Sequence, residues 1–175
     1  AHSFPTRRSS DLAAVRVLED DPAFDAGSGS YFNRDGVVEM DAIVMDGRKL
    51  DLGAVAAVQR VRNPITLARR VLTHSEHSFI VGRGAEAFAE AQGLPLAAPG
   101  DIAGKHDLGG WSPPPGDTVG AVALDAHGDF AVATSTGGTP DKWPGRVGDS
   151  PLVGCGAYAD NACGVAPGQP GSFPM

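Results

Sequence analysis

A threonine acquires its own general base when the peptide bond before it is cut, because the freed α-amine lies beside the hydroxyl and can take its proton. Thr118 stands where such a cut would matter: it follows Asp117 at the end of a Gly- and Pro-rich stretch and opens the apolar run Val119 to Leu124. Further along, Thr134-Ser135-Thr136-Gly137-Gly138 gathers three hydroxyls before a glycine pair. Pro144-Gly145-Arg146-Val147-Gly148-Asp149-Ser150-Pro151 then places a guanidinium and a carboxylate in one loop. These residues offer nucleophilic chemistry at Thr118.

Asp117-Thr118-Val119-Gly120, the Thr134 to Gly138 run and the Pro144 to Pro151 loop occur in that order. Together they resemble the threonine-dependent N-terminal nucleophile hydrolases, the family of plant-type asparaginases, isoaspartyl peptidases and aspartylglucosaminidases. The resemblance covers about Leu12 to Asn161. It implies an α+β fold, the αββα sandwich of those hydrolases, present in part. It also implies that Thr118 attacks the carbonyl of Asp117, passes through an ester by an N-to-O acyl shift, and then repeats the chemistry on a substrate's side-chain amide.

By the same resemblance Thr136 is a second hydroxyl that orients the nucleophile. Arg146 and Asp149 grip the α-carboxylate and α-ammonium of an aspartyl head, to which a planar guanidinium and a carboxylate are suited. The segment Leu18 to Ser28 matches a sodium loop in which backbone carbonyls of Leu18, Glu19, Asp21, Phe24, Ala26 and Ser28 surround the ion; carbonyl oxygens suit a hard cation. Asp25 stands where isoaspartyl peptidases usually carry Asn, and adds charge near a substrate carboxylate. The activity implied is hydrolysis of L-asparagine and β-aspartyl dipeptides through an acyl-enzyme, with no organic cofactor and with relatives that associate as homodimers of cleaved subunits. Aspartylglucosaminidase is the neighbouring activity. Gly137-Gly138 and Asp141-Lys142-Trp143-Pro144 look more like the asparaginase branch.

Each residue also has a plainer reading. Thr118 could be an ordinary strand threonine, Thr136 a turn residue satisfying a backbone group, and Arg146 with Asp149 a surface ion pair worth at most about 1 kcal/mol. Gly148-Asp149-Ser150-Pro151-Leu152 echoes the box of serine esterases, but no later Asp-x-x-His accompanies it. His74 and His77 are too few to hold a metal, as are Cys155 and Cys163, which also cannot make a disulfide framework.

With 14 Lys and Arg against 21 Asp and Glu, the net charge of −7 argues against a nucleic-acid partner. No apolar run reaches a membrane span, and a cytoplasmic setting is the default. The 175 residues suit one domain.

Apolar spacing predicts a helix over Ala13 to Asp20, with Ala14, Val17 and Leu18 on one face and Pro22 as its stop. Strands over Val37 to Met45 and Leu52 to Val61 form a hairpin about Asp46-Gly47. Asn63-Pro64 caps a helix from Pro64 to Leu72, and Gly93 ends another over Ala85 to Gln92. Residues 95–117 read as an exposed linker. Thr118 to Leu124 and Phe130 to Ala133 are strands joined by the Asp125 to Asp129 turn, expected at the centre of a sheet. Residues 1–12 read as a non-native leader, 13–163 as an incomplete hydrolase domain, and 164–175 as a non-native tail with no strand. The resemblance implies an opening strand with a Gly-Gly turn before Leu12 and a strand with a Thr-Gly oxyanion loop after the Tyr158 to Asn161 run. Neither is found at those places in this sequence, so a non-catalytic fragment is the reading from another class. Loss of one oxyanion donor costs about 100- to 1,000-fold in rate.

Overall fold

Every residue of β1, Met40–Asp46, is buried, so both faces of this strand must be covered and its side chains sort by parity. The computed structural model describes residues 7–105 and 118–166, with side chains from Asp11 onward. Met40, Ala42 and Val44 pack with Val15, Ile65, Val71 and Ala133 in one apolar cluster. Ile43 and Met45 pack with Val132, Ala157 and Ala159 in a second. The alternation therefore feeds two cores, one on each face.

β1 is the middle strand of a five-stranded sheet that also contains β2 (Asp51–Val58), β3 (Phe79–Val81), β4 (Val119–Leu124) and β5 (Phe130–Thr136), in the order β3-β2-β1-β5-β4. Neighbours are antiparallel except β2 and β3, which are connected through helix α2, Pro64–His74. Helix α1 (Arg7–Asp20) packs on β4 and β5, α2 on β1 and β2, and α3 (Gly82–Ala91) on β2. The strands β6 (Tyr158–Ala159) and β7 (Gly164–Val165) form a small antiparallel ribbon, with Ala159 in the second core. The fold is mixed α and β around one main sheet.

The hairpin, the helix at Pro64, the Gly93 stop (φ 70°) and the Asp125 turn all form. Several expectations are corrected. α1 begins at Arg7, and its inward face is Asp11, Val15 and Glu19 with Leu12 and Leu18 beside them, whereas Val17 is 68% exposed. Acidic residues one turn either side of Val15 hid that face from a hydropathy pattern. β4 is an edge strand among the described residues, not a central one. β3 was not foreseen because three residues carry too little periodicity. A two-residue strand does occur at Gly164, paired across the Asp160 turn, whose Oδ1 accepts the amides of Ala162 and Cys163.

Residues 95–105 are also docked rather than free-running: Ile102 is buried, Ala97 exchanges hydrogen bonds with Arg60, and Lys105 bonds the backbone of Ser30 and Phe32. Residues 1–6 of the expected leader, 106–117 of the expected linker, with Asp117, and 167–175 of the expected tail lie outside the described residues.

The α2–β2 contact is unusually close. A Cβ on Gly53 would lie 2.2 Å from the carbonyl oxygen of Ala68 and 2.4 Å from the amide nitrogen of Leu72, both helix backbone atoms that cannot turn aside. Gly53→Ala should therefore lower stability by about 1–3 kcal/mol through forced separation of the two elements. Gly84 in α3 has only a methyl of Ile80 at 3.7 Å, so Gly84→Ala should be neutral or stabilising by up to about 1 kcal/mol. Urea unfolding of the two variants checks the contrast; equal effects would contradict the packing.

Candidate active site

β5 carries three consecutive hydroxyls, and the pleat sends them alternately to opposite faces. Ser135 points to the helical side, where its Oγ donates to Glu19 Oε1 at 2.6 Å. Thr134 points the other way and donates to the carbonyl of Gly156 at 2.9 Å. Thr136 shares the face of Thr134. Its Oγ1 accepts the amide of Gly138 and the hydroxyl of Thr118, each at 3.1 Å.

Strand register explains that meeting. β4 pairs Val119 with Ser135 and β1 pairs Asp41 with Thr136, so one further step places Thr118 opposite Thr136. Thr118, Thr136 and Asp41 thus form a row across three neighbouring strands. Thr118 is half-buried, while Thr136 is only 3% exposed.

Two segments close around the row. The turn after α1 contains a short 3-10 helix at Gly27–Gly29 and is clamped to β5: the amide of Gly137 donates to the carbonyl of Asp25, and a Cβ on Gly137 would lie 2.4 Å from both Asp25 Oδ1 and Ser30 Oγ. Asp25 is buried, with Oδ1 accepting the amide of Tyr31. Its charge is therefore beside Thr136, near Lys142. Lys142 is 5% exposed and donates from Nζ to the carbonyls of Glu39 and Gly137. Burial lowers its pKa, and the carboxylates of Asp41, Glu39 and Asp25 hold it up.

The second segment is the Pro144 to Asp149 loop. Arg146 and Asp149 are both exposed, and no ion pair joins them among the described residues. The loop is tied to β1 and its approach by Gly145 N to Glu39 Oε2, 2.9 Å, and Gly148 N to Asp41 Oδ2, 3.2 Å. Burial raises the Asp41 carboxyl; hydrogen bonds from Ala57 and Gly148, and the charges of Lys142 and Arg146, lower it. Arg146 is thus near the same row electrostatically.

Of the six carbonyls expected in an ion loop, four already accept one loop hydrogen bond each: Leu18 from Asp21, Asp21 from Phe24, Ala26 from Gly29, and Glu19 from Ser28 Oγ. Each carbonyl retains a second lone pair, which leaves the set chemically fit for a hard cation. His74 and His77 are exposed, Ser150 is buried, Cys155 and Cys163 are exposed and unpaired, and no cluster of three His, Cys, Asp or Glu suits a metal among the described residues.

Sequence reasoning missed the side chains of Glu19, Glu39, Asp41 and Lys142. The available signal was acid at alternating positions of an otherwise apolar strand, Glu39 and Asp41 flanking Met40. Asn63, expected to cap α2, instead donates to Asp20 Oδ1. Glu19 replaces it: its Oε1 accepts the amide of Ile65 at 3.0 Å, so an acid from α1 caps α2.

A family model described as asparaginase matches residues 10–113 and 105–171, so the chain belongs to the asparaginase family. The isoaspartyl peptidase/L-asparaginase of Rattus norvegicus is 48% identical over 165 residues, 87% of this chain and 50% of the relative. That of Homo sapiens is 49% identical over 166 residues, 87% of this chain and 54% of the relative. The isoaspartyl peptidase of Salmonella typhimurium is 48% identical over 169 residues, 85% and 54%. The chain spans about half the length of these curated relatives.

Burial pushes the Glu19 carboxyl from 4.5 to about 7, against the bonds from Ser135 and Ile65 that pull it down. The folded state then holds a proton that the unfolded chain releases. The associated stability is complete below about pH 4.5 and is lost as pH rises to about 7, by about 3 kcal/mol in all. Glu19→Gln, which cannot ionise, should lose that slope and gain on the wild type between pH 5 and pH 8. Urea unfolding at both pH values in sodium-free buffer measures it; parallel pH profiles would refute the assignment.

Proposed function

We propose that the full-length protein hydrolyses L-asparagine and β-aspartyl dipeptides with Thr118 as nucleophile, after scission of the Asp117–Thr118 bond. The observation that carries this reading is the 3.1 Å contact between the hydroxyls of Thr118 and Thr136 at the end of paired strands. The names of the relatives support the substrate class.

In the uncut chain Thr118 Oγ attacks the Asp117 carbonyl carbon, the amide nitrogen leaves as the α-amine, and water hydrolyses the resulting ester. The freed amine then accepts the hydroxyl proton as Oγ attacks the β-carbonyl of asparagine, and ammonia, or the amine of a dipeptide, departs. Water attack on the aspartyl ester restores the threonine. Thr136, with its oxygen held by the Gly138 amide, fixes the rotamer of Thr118. Arg146 and Asp149 bind the α-carboxylate and α-ammonium of the aspartyl head; their exposure leaves both groups accessible to it.

The sheet with its covering helices forms part of a four-layer αββα sandwich in this reading. Leu18, Glu19, Asp21, Phe24, Ala26 and Ser28 hold a sodium ion through their carbonyls, whose role is to stiffen the turn that abuts Gly137. The assembly is a homodimer of cleaved subunits. No helix among the described residues is long and apolar enough to cross a membrane, and a cytoplasmic enzyme is proposed.

Denaturing electrophoresis with intact mass should resolve two pieces of the full-length protein meeting at Asp117 and Thr118. Thr118→Ala should remain one chain and lose at least about 1,000-fold in turnover of L-asparagine. A variant that stays uncut yet fully active would overturn the proposal. Activity confined to glycosylated asparagine would transfer it to the aspartylglucosaminidase branch.

A further inference from the structure

Glu39 and Asp41 are carboxylates 4% and 0% exposed, the first just before and the second on a buried strand. Burying such groups costs several kcal/mol each by desolvation unless their oxygens are satisfied, and here the partners form a pattern. Each spends one oxygen toward the neighbouring strand and one on the Pro144 to Asp149 loop. Asp41 Oδ1 accepts the amide of Ala57 at 2.9 Å, where the strands are out of register by a bulge and Ala57 has φ 52°. Asp41 Oδ2 accepts Gly148 N. Glu39 Oε1 accepts Gln59 Nε2 at 3.2 Å, and Oε2 accepts Gly145 N.

The two loop amides bracket Arg146. Gly145 has φ 79°, and a Cβ on Gly148 would lie 3.1 Å from Arg146 Nη1, so both anchor points are glycines that let the loop fold tightly around the guanidinium. Asp41 also pairs in register with Thr136, which touches Thr118. One strand thus sets the position of the Arg146 loop relative to the threonine row.

We propose that Glu39 and Asp41 are positioning residues for substrate recognition: they hold the Arg146–Asp149 loop at a fixed distance from Thr118 and so set the affinity for the aspartyl head. This rests on the function proposed above. Neither side chain touches substrate; both act through backbone amides.

The test is steady-state kinetics on L-asparagine with the full-length protein. Asp41→Asn presents an NH2 to one of its two amides, so KM should rise by about tenfold or more while kcat falls less and self-cleavage still completes. Glu39→Leu, which removes both bonds, should do the same. Glu39→Gln keeps an oxygen for Gly145 and can turn its NH2 to the flipped amide of Gln59, so its KM should return to within about threefold of wild type. Partial unfolding would lower the active fraction, and therefore kcat, without moving KM.

If Asp41→Asn does not fold, the Glu39 pair alone decides. Unchanged KM in the cleaved variants, or Glu39→Gln behaving like Glu39→Leu, would overturn the inference and leave the function standing. A wild-type protein that neither cleaves at Thr118 nor hydrolyses asparagine would remove both.

Discussion

A strand buried on both faces cannot leave a hydroxyl unpaired without a penalty of about 1–3 kcal/mol, and β5 carries three in succession. The pleat fixes which way each points, so their partners had to be supplied from different layers. Ser135 meets Glu19 from the helical side; Thr134 meets the chain before β6. Thr136 is satisfied by the glycine turn after it and by Thr118. A slip of one residue in the β4–β5 register would turn Thr118 toward the helices and break the row. The geometry at Thr118 is therefore a consequence of how β5 resolves its polar groups.

The buried carboxylates serve the same end. Their oxygens accept backbone amides of other segments, and apolar contact cannot dictate which backbone amide faces which strand. Glu19 joins α1, α2 and β5; Asp25 joins the turn after α1 to Tyr31 and, through its carbonyl, to Gly137. Lys142 lies among Asp25, Glu39 and Asp41 and offsets part of their charge. Hydrogen-bond direction supplies the precision that the two cores do not.

What could be read from the residues divides along physical lines. The hairpin and the helix at Pro64 were legible because they are local: a turn dipeptide, a first-turn proline and a repeating apolar face. Thr118 and Thr136 were singled out by the resemblance to a family, not by local pattern, and the structure brings those two side chains together. The inward face of α1 was not, since its flanking positions are Asp11 and Glu19, which a hydropathy pattern assigns to solvent. Asn63 failed as a cap for a related reason: its competitor, Glu19, is remote in sequence and arrives only when α1 packs. Glu39 and Asp41 were overlooked because their partners are backbone amides about a hundred residues away, and backbone donors leave no mark on residue type.

The place of Thr118 relative to the ladder bears on whether the sheet could survive a cut there. Described pairing of β4 begins at Val119 and runs to Leu124, all of it against β5. Thr118 lies just outside this ladder, held by its side chain instead of by strand pairing. Scission of the preceding bond would therefore remove no bond from the Val119 to Leu124 ladder, and the contact with Thr136 would remain to hold the new terminus. A nucleophile within the strand would have coupled its release to loss of the sheet; one placed on a free loop would lack a fixed neighbour. For the nucleophile proposed above, the position just before β4, an edge strand among the described residues, and opposite a buried hydroxyl avoids both difficulties.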